Sequence, residues 1–424
     1  MSLAALDPFA VPRAGPEMTP SPAPLRLLFL APYPPRLDGV HGGSRVIAQL
    51  LDRLAERHHV GLMCVRHPSE PPVDERLRAR LELVEELETI DRGRSHRTRT
   101  FRGVRDRLHV VAGAPLWATS LKLRAFRRRL AAVLDDWNPD LVQIQYTAMG
   151  VYAAEVEATG RPVVLWEPDP ATNAAIELGV LASGNRILRR LDVRAWRRFE
   201  RSVLHRVTAV VVFTERDRRL VAASAGGTPV VAIPFGTDFV EREFARDAGD
   251  HEILFVGNFV HPPNIDAAMR LVREIFPRVR ERRPGTSLRI VGDHPPPQLV
   301  AAADGDTVVA GRVPDLTPDL ERAAVVAAPL RFGGGMRVKI LEALAAGKPL
   351  VASPLATEGL DVKDGRQLLL ASTDQEFVDR IVRLLDDDEL RARLGQDAWA
   401  WAQRHLGWDE CVERYEELFR SLVA

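Results

Sequence analysis

The sequence predicts an α/β protein built from two doubly wound domains with parallel sheets, and three observations carry that expectation. A chain of 424 residues is too long for one hydrophobic core, so two units are expected. Short, continuous apolar runs recur along it, as in strands buried on both faces of a parallel sheet. Between them lie stretches whose apolar residues repeat at helical spacing, which is the pattern of successive βαβ units.

Residues 1–24, rich in proline and alanine, are read as a flexible tail. LRLLFLAP (25–32) is the first strand. After a glycine loop, SRVIAQLLDRLAERH carries Val46, Ile47, Leu50, Leu51 and Leu54 on one helical face, and HVGLMCV follows as a strand. PDLVQIQY (139–146), RPVVLWEP (161–168), VTAVVVFT (207–214) and TPVVAIPFG continue the first domain, assigned to 25–235. Residues 236–250 are polar and weakly patterned, a linker. The strand series then restarts over 251–404 with EILFVGNF, SLRIVGD, DTVVAGRV, RAAVVAAPL, GKPLVASP and RQLLLA, interleaved with helices such as NIDAAMRLVREIFPRVRERR. From Asp374 the chain reads as helix. Its last segment (405–424) could pack on either domain, and Asp386-Asp387-Asp388 reads as a turn and helix cap rather than a metal motif.

With 58 basic and 58 acidic side chains the net charge is zero, which disfavours nucleic acid as a partner. Cys64 and Cys411 show neither CxxC nor metal-ligand spacing, so no disulfide framework or metal site is expected, and a reducing cytoplasm fits. No secretory leader or apolar stretch of membrane-spanning length is expected. Of the 58 basic residues 54 are arginine, a skew read as GC-rich bacterial coding.

RFGGGMRVKILEALAAGKPLVAS (331–353) is the stretch richest in chemistry. Gly333, Gly334 and Gly335 would let a ligand reach the backbone at a helix start, where free N–H groups favour phosphate. Lys339 and Glu342, three apart, share one face, with Arg337 a turn earlier. A cation beside backbone donors suits a diphosphate, and a carboxylate suits a ribose diol. The alternative is a glycine loop that serves close helix packing alone.

That stretch, with FVGNFVHPPNIDAAMRLVREIFP, RIVGD, AGRVPDL and ATEGLDVKDGRQLLLA in order, resembles the C-terminal domain of family-4-type retaining glycosyltransferases of the GT-B fold. APYPPRLDGVHGGSRV and PDLVQIQY resemble the same family's N-terminal domain. The resemblance implies two Rossmann-like domains facing across a cleft, the first for the acceptor and the second for a nucleotide-sugar donor, with the last helix crossing back to the first. It implies transfer of a sugar with retention to a glycan or lipid-linked acceptor, without metal or other cofactor, in bacterial polysaccharide or glycolipid synthesis. Alternatives are a catalytically silent nucleotide-sugar binding protein and a GT-B-like nucleotide-sugar epimerase.

Carried over residue by residue, the family's second motif glutamate falls on Glu342, while the first falls on Gly334, so a usual sugar contact is missing. Gly42 and Gly43 match the glycine pair beside donor phosphate and sugar. Where the family carries phosphate cations, GNFVHPPNIDA offers Asn258 and Asn264, with Gly257 a further donor contact, which leaves Arg337 and Lys339 for the cation role, with Met336 and the glycine amides beside them. Val313 falls in the segment that lines the base. Where relatives carry a histidine this chain has Glu167 and Asp169, each either an acceptor base or a loop cap. Lys339 is expected to act in catalysis by stabilising the leaving phosphate.

From Arg92 to Arg129 there are 12 basic residues and one acid, with aromatics interspersed, and 186–206 adds a second basic run. These segments (92–129 and 186–206) suggest peripheral contact with an anionic membrane at the inner face. The alternative is a solvated helix face.

Overall fold

The computed structural model describes residues 23–37, 42–68, 70–89, 115–167, 186–241, 244, 251–333 and 338–424. The chain divides into two compact units, the first formed mainly by Gly43–Ile233 with β1 and Val412–Ala424, the second by Pro234–Cys411.

The first unit holds a seven-stranded sheet, β1 (Arg26–Ala31), β2 (His59–Arg66), β3 (Leu83–Glu88), β4 (Leu141–Gln145), β5 (Val163–Trp166), β6 (Ala209–Val212) and β7 (Val230–Ala232). Its order is β3-β2-β1-β4-β5-β6-β7, and every pairing is parallel. Its helices are α1 (Gly42–Leu54), α2 (Glu75–Arg78), α3 (Leu116–Leu121), α4 (Arg124–Asp136), α5 (Ala153–Glu157), α6 (Arg186–Leu204) and α7 (Glu215–Ala222), with a 3-10 turn at Thr147–Tyr152. Leu28, Leu30, Val142, Ile144, Val163 and Leu165 form one buried sheet face against Phe126, Leu130 and Tyr152 from the covering helices. Burial of that kind on both faces is why these strands read as unbroken apolar runs.

Strand β3 escapes that rule. LVEELE has three carboxylates, and no strand is expected there from its sequence. It lies at the sheet edge, where Arg129 reaches Glu85 at 2.6 Å and Arg66 reaches Glu86 at 3.3 Å, so its acidic side chains are met by arginines of neighbouring elements. An edge strand carrying charge also resists pairing with other chains.

The second unit holds a six-stranded parallel sheet, β8 (Glu252–Val256), β9 (Ser287–Val291), β10 (Thr307–Gly311), β11 (Ala323–Ala328), β12 (Leu350–Ala352) and β13 (Leu369–Leu370), in the order β10-β9-β8-β11-β12-β13. Its helices are α8 (Pro262–Arg270), α9 (Phe276–Arg282), α10 (Pro297–Val300), α11 (Thr317–Arg322), α12 (Val338–Ala345), α13 (Asp374–Asp386) and α14 (Asp388–His405). The single helix that NIDAAMRLVREIFPRVRERR suggests is instead α8 and α9 joined by a π turn at Leu271–Ile275. Pro277, at the start of α9, has no N–H to continue the ladder, and the wider turn accommodates it. Asp387 caps α14 by accepting the Leu390 N–H at 2.9 Å, the role its sequence suggests. The last helix, α15 (Trp408–Val423), contributes its residues from Val412 onward to the first unit, where Arg420 donates to the Ala23 carbonyl at 3.0 Å.

Candidate functional site

In an open parallel sheet the loops at strand C-termini diverge where the strand order reverses, and that crevice receives ligands. The reversal falls between β8 and β11 in the second unit and between β1 and β4 in the first. The loops concerned therefore begin at Gly257, Pro329, Pro32 and Tyr146. Gly42, Gly43, Gly257, Asn258 and Gly333 all lie in these loops or at the helix starts they feed. Asp169, Gly334, Gly335, Met336 and Arg337 lie outside the described residues, as do 92–114 and the tail to residue 22.

In the second unit, β8 ends in GNFVHPPN. Its turn is fixed by Asn258, whose Oδ1 accepts the Val260 N–H at 2.9 Å and whose carbonyl accepts the Asn264 Nδ2–H at 2.7 Å. Two prolines at the start of α8 follow, with His261 as N-cap. Gly257 packs with Asn264 so closely that an added Cβ would lie 3.0 Å from the Asn264 side chain. The neighbouring loop after β9 comes closer still: a Cβ on Gly292 would overlap the Gly257 carbonyl, and Gly292 sits at φ +154°. Only glycine fits there. Gly292 in turn donates its N–H to the Gly311 carbonyl at 2.8 Å, which ties the β9 loop to the β10 loop that carries Val313.

Helix α12 brings Lys339 and Glu342 to the same place. Lys339 Nζ donates to Asn264 Oδ1 and stands 5.1 Å from the centroid of the buried Phe255 ring. Glu342, one turn on, is only 6 % exposed. Ile340, Leu341 and Leu344 bury the other side of the helix and fix its roll. The structure thus gathers Gly257, Asn258, Asn264 and Lys339, and His261 is close enough that burial first and the Lys339 ammonium second hold its imidazole below the usual histidine value. Lys348, downstream in AAGKPLVAS, is buried and donates to the Glu321 carbonyl at 3.0 Å, and burial lowers its pKa to about 8.

In the first unit, Tyr146 at the end of β4 adopts φ +67°, a left-handed conformation costly for a side chain with a Cβ. Tyr33 Oη donates to Tyr146 Oη at 2.7 Å, and a Cβ on Gly43 would overlap the Tyr146 hydroxyl. Gly43 is required by these two phenols. Tyr146 also meets Trp166 and Trp117 edge-on, at centroid distances of 5.6 and 5.8 Å. Burial, then Tyr146, raises the Tyr33 phenol well above the ordinary tyrosine range. Nothing in the sequence pattern marks this aromatic cluster, because its members come from four separate elements.

Glu167 follows β5 directly and is 3 % exposed. Its Oε2 accepts the Thr147 N–H at 2.8 Å and the Thr147 hydroxyl, so it caps the 3-10 turn after β4. The cap is one of the two roles the sequence leaves open for it, and the acceptor-base role is the other. Among the described residues no three or more His, Cys, Asp or Glu side chains are grouped to hold a metal ion.

Residues 41–236 match the family described as Glycosyl transferase 4-like domain, and 250–387 match Glycosyl transferases group 1. An exopolysaccharide phosphotransferase of Streptomyces coelicolor is 29 % identical over 231 residues, 51 % of this chain and 24 % of that protein. D-inositol 3-phosphate glycosyltransferase of Corynebacterium glutamicum is 25 % identical over 229 residues, 50 % of this chain and 54 % of that one. The chain therefore spans between a quarter and about half of the length of these curated relatives. Among solved structures, sucrose-phosphate synthase from Thermosynechococcus elongatus superimposes with a TM-score of 0.68 at 16 % identity, covering 94 % of this chain and 99 % of that one. Anabaena HepE in complex with UDP gives 0.64 at 15 % identity, covering 94 % and 100 %. Both likenesses concern the fold, a pair of parallel-sheet Rossmann-like domains of the GT-B type. Two matched segments that together take in most of the chain, and that fold throughout, establish that it belongs to the group 1 glycosyl transferases.

Proposed function

We propose that this chain transfers a sugar from a nucleoside diphosphate sugar to a glycan or lipid-linked acceptor, with retention and without metal. The observation that supports it most is Lys339, placed on α12 beside the Gly257–Asn264 turn at the strand-order reversal of the second sheet. A lysine in that place can meet the charge that grows on a leaving diphosphate, and Glu342 can accept from the ribose hydroxyls. UDP is the first nucleotide to test, because HepE, of the same fold, was solved with UDP and with UDP-glucose. In a front-face retaining transfer the leaving phosphate takes the acceptor proton, so the protein's contribution is positioning and charge stabilisation. Asp169, Arg337, Met336 and the amides of 333–335 are proposed as the remaining contacts, with Val313 at the base and Gly42-Gly43 at the sugar.

Calorimetric titration with UDP, GDP and ADP, repeated on Glu342→Ala, tests this reading. Binding of one nucleotide, weakened about five- to 150-fold in the variant, is expected for a lost charged hydrogen bond of ~1–3 kcal/mol. No binding to any of the three would remove the donor-site reading.

We also propose a cytoplasmic protein with peripheral contact at an anionic membrane. Arg190, Arg194, Arg197, Arg198 and Arg201 are exposed along one side of α6, and no helix among the described residues is long and apolar enough to cross a membrane. Equal sedimentation with anionic and neutral vesicles would count against that contact.

A further inference from the structure

We propose that Asn264 is the positioning residue of the donor site: its amide holds the Lys339 ammonium toward the diphosphate while leaving the positive charge intact. The inference rests on the reading of the site given above. Its starting point is that Asn264 has its two ends committed in opposite senses. Nδ2 donates to the Asn258 carbonyl at 2.7 Å, and this fixes which end of the amide is which. Oδ1 is thereby turned to accept from Lys339 Nζ, across 75 residues of sequence.

The chemistry of the holder decides what the lysine can do. A carboxylate at position 264 would form an ion pair and cancel the charge a phosphate needs. An amide orients the same ammonium by its dipole and cancels nothing. Phe255 works in the same way, since its ring face attracts the cation at 5.1 Å without neutralising it. The carboxylate two residues along, Asp266, is engaged elsewhere, with Arg331 Nε donating to it at 2.9 Å in a two-pronged pair. The turn that carries Asn264 is itself locked, because the Asn258 carbonyl also accepts the His261 N–H at 3.3 Å and Gly257 donates to the Val291 carbonyl at 2.9 Å. A rigid turn holding a neutral acceptor against a mobile four-carbon side chain removes rotamer freedom before the ligand arrives.

The test compares binding of UDP, GDP and ADP, and of uridine, guanosine and adenosine, to wild type, Asn264→Asp, Asn264→Ala and Lys339→Ala. For the nucleotide that wild type binds, Asn264→Asp should lose about tenfold or more in diphosphate affinity, nearly as much as Lys339→Ala. The matching nucleoside should bind all four proteins alike, and the salt dependence of diphosphate binding should flatten in Asn264→Asp as in Lys339→Ala. Asn264→Ala, which frees the lysine without neutralising it, should lose only a few-fold. Diphosphate affinity unchanged in Asn264→Asp but lost in Lys339→Ala would overturn the proposal and keep the donor site. Equal losses for nucleoside and diphosphate would also overturn it, since a merely structural role does that. If wild type binds no diphosphate at all, the donor-site reading falls and takes this inference with it.

Discussion

His58 bridges the two ends of the first unit: its Nδ1 accepts the Leu25 N–H at 3.1 Å, and its Nε2 lies 3.0 Å from a Glu416 carboxylate oxygen on α15. Because Nδ1 accepts, the proton of the neutral ring is on Nε2, where it donates to Glu416. The side chain is fully enclosed, and burial, outweighing the attraction of Glu416, lowers the imidazole below its ordinary value of 6.5.

That lowering gives a sign for the pH dependence of stability. Well above pH 6.5 the ring is neutral folded or unfolded and contributes no slope. As pH falls below that value the unfolded chain binds a proton the folded ring resists, so stability is lost on acidification. Melting temperature measured from pH 8 to 5.5 should fall more steeply below 6.5 in wild type than in His58→Gln, whose amide can accept from Leu25 and donate to Glu416 without titrating. Parallel curves for the two proteins would sink the idea.

The phenol pair over Gly43 predicts a coupled response. Gly43→Ala places a methyl group onto the Tyr146 hydroxyl, held by Tyr33 and by ring contacts with Trp117 and Trp166. Overpacking of this kind costs about 1–3 kcal/mol. Adding Tyr146→Phe removes the nearer of the two overlapping oxygens and leaves the Tyr33 hydroxyl 2.9 Å from the added carbon, so the double variant should recover part of the loss in urea unfolding. Strict additivity of the two changes would show that the methyl group is accommodated elsewhere.

Glu167 is expected to act on stability before it acts on turnover. Removing it leaves the Thr147 N–H and hydroxyl buried without their acceptor, a loss of about 1–3 kcal/mol for Glu167→Ala. Glu167→Gln, which keeps one acceptor oxygen, should be milder. If Glu167→Ala unfolds at the wild-type denaturant midpoint yet has lost transfer activity, the acceptor-base role is the right one.

These relationships show what the sequence could and could not reveal. Twelve of the thirteen strands among the described residues stand out as apolar runs, because a parallel sheet buries both faces of its central strands and leaves only edge strands such as β7 and β10 partly open. β3 does not, since its fitness for an edge depends on arginines brought in from β2 and α4. The cation and carboxylate of the proposed donor site are legible because Lys339 and Glu342 share one helix and a glycine run precedes it. Their surroundings are not: Asn264 is 75 residues from Lys339, and Glu416 is 358 from His58, so only the folded chain pairs them. Glu167 had two readings in sequence because a loop carboxylate after a strand can cap or catalyse, and burial against Thr147 is a tertiary fact.

Gln143 supplies a last case, in which the chain carries a cost its strand pattern conceals. It sits in the middle of β4, 0 % exposed, with Phe29 of β1 and Val164 of β5 in register on either side. Among the described residues neither polar atom of its amide has a hydrogen-bond partner, and the same holds for Gln145 two residues on. A buried amide without partners costs about 1–3 kcal/mol, whereas an apolar side chain of the same shape adds no such penalty. Gln143→Met, close in volume and flexibility, should therefore raise the urea midpoint without changing the slope of the transition. Gln145→Met should do the same to a similar extent. A lowered midpoint in either variant would mean that the amide is satisfied in solution.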